Sequence, residues 1–169
     1  MLFKAVGSED NMFKSIVLVL SFTLCFMACS KLEASGLKTT FGEVKIEDLQ
    51  TGKASSIKEA SGLLLEVINT GHEPIDLKME VILPENSELK QGYEAIPDIS
   101  WLKLDKTEFK AVKPNESAIT DIVISVPNDE VYSGKNYQVF IWSHSTGKGV
   151  GVGLKSKLLL SIAKDKNNK

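Results

Sequence analysis

The chain has 169 residues and a formal net charge of −2; hydrophobic residues make up 43% and charged residues 25%, and all 20 cationic side chains are lysines because arginine is absent. Interspersed charge with no basic stripe argues against a nucleic-acid partner, and the lack of guanidinium forks removes the usual bidentate grip on phosphates and carboxylates. The two cysteines, Cys25 and Cys29, both lie within the first thirty residues, so a domain downstream of them has no disulfide to lean on.

In chain order, the first element is an apolar run from Ile16 to Ala28 that follows Lys14 and stops at Cys29. Its 13 residues fall short of the roughly 20 needed to span a bilayer core and suit the apolar segment of an export signal. Glu9 and Asp10 fit poorly in a positively charged leader, whereas Met12-Phe13-Lys14 is a compact basic start that points to Met12 as the initiator. The stretch Phe26-Met27-Ala28-Cys29 resembles the lipoprotein box of bacterial signal peptides, in which a small residue precedes a cysteine that becomes acylated.

That resemblance implies removal of residues 1–28, lipidation (palmitate among the acyl groups) at Cys29, and a lipidated tether over residues 29–36. Each buried methylene of such an anchor contributes about 0.8 kcal/mol, and the seven residues Ser30 to Gly36 reach only about 25 Å when extended. Ala28-Cys29-Ser30 also offers small residues to an ordinary signal peptidase, so soluble secretion remains the rival. Ser30 lacks the aspartate that retains many Gram-negative lipoproteins at the inner membrane. The expected location is therefore the cell envelope, in a Gram-negative cell the outer membrane, facing the periplasm or the cell surface.

Beyond the tether, alternation of apolar and polar residues dominates. Ile75, Leu77, Met79, Val81 and Leu83 are apolar while Asp76, Lys78 and Glu80 between them are charged, the pattern of a strand with one wet face. Val152, Leu154, Leu158, Leu160 and Ile162 repeat that period in the last strand. Further strands are expected at Phe41 to Ile46, Leu63 to Ile68, Ile99 to Leu104, Phe109 to Val112, Ala118 to Val126 and Tyr137 to Trp142. Turn chemistry separates them at Asn69–Pro74, Lys113–Glu116, Pro127–Asp129 and Ser145–Gly147. Lys53 to Ala60 has room for one helical turn, and the longer stretch Pro84 to Pro97 is expected to cross between sheets or cap one end.

About seven strands at this spacing predict an all-β fold, a single antiparallel immunoglobulin-like β-sandwich over residues 37–163, preceded by a signal peptide and followed by a polar tail at 164–169. Pro114-Asn115-Glu116-Ser117, Ile122-Val123-Ile124-Ser125-Val126-Pro127 and Ser133-Gly134-Lys135-Asn136-Tyr137 follow one another in an order that resembles bacterial immunoglobulin-like envelope domains, including the amino-terminal domains of pilus chaperones. The resemblance covers residues 60 to 163 and implies a tyrosine corner at Tyr137. It does not extend to the cleft arginine with which pilus chaperones hold a client carboxylate.

Chemistry-bearing residues are sparse. His72 and His144 are the only histidines, too few for a metal site. Ser143-His144-Ser145 sets a base beside two hydroxyls, but neighbours on a strand point to opposite faces. Gly149-Val150-Gly151-Val152-Gly153 leads into a strand where a phosphate loop would lead into a helix, so its glycines are read as permitting a bulge or close backbone approach. Asn128-Asp129-Glu130 reads as a turn. No catalytic, cofactor or metal residue is therefore assigned, and no enzyme activity is expected.

Aromatic residues are the remaining candidates. Tyr137, Val139 and Ile141 share one face of their strand, leaving Phe140 and Trp142 on the other. Tyr93, Trp101, Phe140 and Trp142 are the candidate partner-binding aromatics, with core packing of Trp101 or Trp142 as the competing role. The expected function is a membrane-anchored envelope lipoprotein whose module binds or scaffolds an envelope protein or a glycan. A soluble periplasmic chaperone-like or adhesion accessory protein is the first alternative, and a hydrolase accessory the second.

Overall fold

The computed structural model describes residues 36–147 and 151–164; the leader, Cys29, most of the tether and the tail from residue 165 lie outside the described residues. Among the described residues, twelve strands form two layers of an immunoglobulin-like sandwich. They are β1 (Leu37–Thr39), β2 (Glu43–Leu49), β3 (Ala54–Ser56), β4 (Leu65–Asn69), β5 (Ile75–Ile82), β6 (Glu94–Ala95), β7 (Leu102–Leu104), β8 (Glu108–Val112), β9 (Ser117–Thr120), β10 (Ile122–Ser125), β11 (Asn136–Thr146) and β12 (Gly153–Ile162). One short helix, α1 (Ile57–Ser61), follows β3, with Ser56 as its N-cap and Gly62 in the left-handed conformation closing it. This is the helical turn expected there.

The larger layer has the order β2-β12-β11-β5-β8, with β6 added alongside β11; the other layer combines β1-β4-β9 with β3-β10-β7. Alternating residues of both layers meet in one core. Val44, Ile46, Leu77, Met79, Tyr137, Val139, Ile141, Leu158 and Leu160 come from the larger layer, and Leu65, Val67, Ala118, Ile122, Ile124, Leu102 and Leu104 from the other. Trp101 stands at its centre with 4% exposure, edge-on to Tyr132 at 4.7 Å and to Tyr137 at 5.4 Å between ring centroids. The core role offered for Trp101 is the one the structure displays, and Tyr137 is fastened there by ring packing.

Strand breaks explain why twelve segments appear where about seven strands were expected. Ala118, Thr120, Ile122 and Ile124 are all buried, so alternation runs unbroken through Asp121. Asp121 nevertheless splits the expected Ala118–Val126 strand by changing its partners. Its carboxylate accepts from the backbone N–H of Ile122 at 2.8 Å, from the Ser56 hydroxyl and from the Lys58 N–H. The chain then pairs with β4 before the break and with β3 and β7 after it. The expected strand at Ile99–Leu104 begins instead as a 3-10 turn over Ile99–Trp101, because the Asp98 carboxylate takes the Ser100 N–H at 2.8 Å.

Of the segments that cross between the layers, the two shortest are residues 40–42, which carry the chain from β1 to β2, and residues 105–107, which carry it from β7 to β8. The second crossing is tied on both sides, with Lys106 N–H donating to Thr120 Oγ1 and Met79 N–H donating to the Thr107 carbonyl. The first switch makes β2 run parallel to β12. β6 is parallel to β11 as well, so the sandwich is antiparallel apart from these two ladders.

The stretch from Pro84 to Pro97 stays with the larger layer as far as β6, and the expected crossing to the other layer begins at its end, where Ile96 and then Trp101 enter the core ahead of β7. The stretch lies as a strap across the outer face of the larger layer. Buried Gln138 fixes it: Lys90 N–H donates to Gln138 Oε1 at 2.8 Å, and Gln138 Nε2 donates to the Glu88 carbonyl at 2.9 Å. Among the described residues no helix is long and apolar enough to cross a membrane.

Core chemistry gives two stability expectations of different sign. Truncating Trp101 to alanine removes the centre of the aromatic cluster and should cost about 3–5 kcal/mol. Ser143 faces the same core with its hydroxyl lacking a hydrogen-bond partner. Ser143→Ala should thus be neutral or stabilising by up to about 1 kcal/mol. Urea denaturation of both variants, with unchanged slope as the control for two-state behaviour, checks the pair.

Candidate recognition face on the outer sheet

β11 builds the site because it has two buried faces of different origin. Tyr137, Val139, Ile141 and Ser143 point into the core, so Gln138, Phe140, Trp142 and His144 point outward. The strap shelters the first part of that outward row. Gln138 and Leu159 of β12 are buried beneath it, and Phe140 is buried with the Lys155 ammonium 5.2 Å from its ring centroid. Tyr93, within the strap, is half-buried. Trp142 lies past the cover and is 38% exposed.

The indole is nevertheless held in place. It stacks on the His144 ring, with centroids 4.0 Å apart and an interplanar angle of 21°. The imidazole is itself oriented: Nε2 lies 2.9 Å from Glu80 Oε2, and Nδ1 lies 3.3 Å from the Ser145 carbonyl. Across the ladder from His144 is Gly153. A Cβ there would come within 2.9 Å of the Trp142 indole nitrogen and 3.3 Å of His144 Cβ. The close approach expected of the glycine-rich run is therefore realised at Gly153; residues 148–150 of that run lie outside the described residues.

Charged groups flank the ring in opposite-sign couples. Glu80 and Lys155 are the direct cross-strand neighbours of Trp142. Lys78 pairs with Glu80 at 2.6 Å, and Lys155 reaches Glu88 of the strap at 2.7 Å. The Lys78 ammonium, and after it the His144 imidazole, hold the Glu80 carboxyl below its usual range. Lys155, followed by the Glu85 backbone N–H, does the same for Glu88. Trp142, His144 and Lys155, together with Gly151, Val152 and Leu154, line a shallow, open depression at the end of the sheet.

The arrangement does not assemble a hydrolytic triad at Ser143-His144-Ser145. Ser143 is on the core side, both His144 ring nitrogens face acceptor oxygens, and the Ser145 hydroxyl accepts from the Val152 N–H at 3.0 Å. His72 lies exposed in its turn. Asp129 caps the 3-10 turn at Glu130–Tyr132 by accepting from the Val131 N–H. Gln138 and Glu80 are the residues the sequence did not flag as part of a site. Each stands opposite or beside an outward aromatic, and that register is legible only once the strands are paired.

No family model and no curated protein matches the chain. Among solved structures, the chain is similar to the ASH/PapD-like domain 7 of human CEP192, with 11% identity, a TM-score of 0.55, and coverage of 82% of this chain and 93% of that one. A protein from Bacteroides ovatus described as a putative carbohydrate binding protein is matched with 14% identity and a TM-score of 0.51 over 76% of this chain and 37% of that one. A family 123 glycoside hydrolase from Clostridium perfringens is matched at 7% identity and a TM-score of 0.50, over 79% of this chain and 28% of that one. At these identities the likeness is one of fold.

Two measurements follow from the geometry. Because Glu80 and Glu88 ionise more readily when folded, their contribution is present above the ordinary carboxylate pKa of about 4.5 and is lost as pH falls through the lowered folded values. Thermal stability should fall below about pH 4.5, and Glu80→Gln should flatten part of that limb, modestly, since the pair is partly exposed. Gly153→Ala should displace the indole and change the near-ultraviolet circular dichroism while leaving the far-ultraviolet strand signal intact.

Proposed function

We propose that the chain is a non-catalytic binding module of the cell envelope, anchored through a lipid on Cys29 and presenting the Trp142 face to its partner. The observation that carries the reading is an exposed tryptophan on a strand whose other aromatic side chains are buried, fixed by His144 below and by the absence of a side chain at Gly153. A large ring left in water costs stability, and a ring pre-oriented by its neighbours loses little entropy on binding. Those two facts together suit recognition better than packing.

Strand addition, the mode of the chaperone-like alternative, finds little support in the edges of the larger layer. β12 is paired on both sides, by β11 and β2. The outer strand β2 carries Asp48 at φ 57° and shifts register against β12. At the opposite edge, β8 has Ala111 at φ 50°, with its N–H taken by the Asp76 carboxylate. Lys45, Glu47, Glu108 and Lys110 line these edges, and bulges with charges discourage a further strand.

Anchoring is supported by the apolar run that ends at Cys29 and by the absence of any other use for that thiol in a chain with one other cysteine. Mass spectrometry of the mature amino terminus tests it. An acylated Cys29 is expected, with Cys29→Ser releasing the protein from membranes; an unmodified chain starting at Ser30 or Lys31 would overturn the anchor.

A further inference from the structure

We infer that the Trp142 face is a subsite for a neutral oligosaccharide, one sugar ring lying flat against the indole while Glu80 and Lys155 hydrogen-bond its hydroxyls; this rests on reading that face as the recognition surface. A pyranose has an apolar face of C–H bonds and a rim of hydroxyls that both donate and accept. The site mirrors it, with one flat aromatic ring and, directly across the ladder on its two sides, a carboxylate acceptor and an ammonium donor.

Charge and area select this ligand class. Lys78 with Glu80 and Lys155 with Glu88 cancel in sign, so the rim offers hydrogen bonds without a net field to favour an anion or a cation. The apolar target centres on a single ring, with only the part-buried Val152 and Leu154 at its margin. The other large exposed hydrophobic residues among those described, Leu63, Leu83, Ile99, Ile119 and Val131, lie off β11 and β12. A stable protein partner buries about 800 Å² on each side and centres on a cluster of anchors, which one indole ringed by ion pairs does not supply. A sugar needs only the one platform.

The test is titration of the full chain, purified in detergent, with cellohexaose, chitohexaose, maltohexaose and laminarihexaose, followed by tryptophan fluorescence and calorimetry. Saturable binding of at least one of the four is expected, weakened at least about tenfold by Trp142→Ala, partly retained in Trp142→Phe, weakened by Gly153→Ala and unchanged by Ile119→Ala on the opposite layer. Circular dichroism verifies that each variant is folded. Absence of saturable binding to all four, or binding that survives Trp142→Ala, overturns the proposal. In-cell cross-linking separates the two readings: a Trp142-dependent protein adduct without sugar binding rejects the oligosaccharide and keeps the recognition face, whereas neither adduct nor sugar binding rejects both.

Discussion

The clamp made by the Gln138 side chain is the interaction on which the outer face depends. A fully buried primary amide with unmet donors and acceptors costs on the order of 1–3 kcal/mol for each lost partner, and Gln138 meets its needs only by gripping the strap at Lys90 and Glu88. With those two bonds made, the short parallel ladder of β6 on β11 falls into register, Ile96 enters the core, and Glu88 is delivered to Lys155. The strap thus buries outward positions of β11 and β12, Gln138, Phe140 and Leu159, that would otherwise meet solvent. Where it ends, the outward row of β11 becomes accessible again, and the residue at that margin is Trp142.

That arrangement gives two tryptophans opposite fates for reasons of position alone. Trp101 enters the sandwich from a 3-10 turn set by Asp98 and meets Tyr132 and Tyr137 edge to face. Trp142 occupies an outward position of β11, two residues beyond the last one the strap shelters. Hydrophobicity cannot distinguish them. What does is strand parity together with the length of the segment lying across the sheet.

Much of the fold was legible because burial on one face enforces alternation. β5 and β12 appear within a residue or two of where their apolar periods placed them, and the opposite facing of Tyr137 and Phe140 follows from parity alone. The misreadings share a cause as well. Asp121 keeps the alternation of its strand while switching its hydrogen-bond partners, so no pattern of side chains could reveal the break. The strap is polar, rich in turn residues and only two residues long as a strand, and what holds it is a glutamine some fifty residues away in sequence. Long-range polar pairing leaves no local periodicity.

The same limit applies to the site. Trp142 was a candidate from composition and parity, yet its partners Glu80, Gly153 and Lys155 sit on two other strands and read, in isolation, as an ordinary wet-face acid, a glycine permitting a bulge or a close approach to some unnamed neighbour, and a surface lysine. Antiparallel register turns them into one constellation: Glu80 and Lys155 flank the indole, and Gly153 opens the space into which its edge fits. The glycine is the most telling of the three. A strand ordinarily loses stability by carrying one, but any Cβ at this position would collide with the Trp142 indole nitrogen. The exposed ring and the missing side chain therefore belong to the same local design, in which backbone stability is given up on β12 so that a flat apolar surface can lie open on β11.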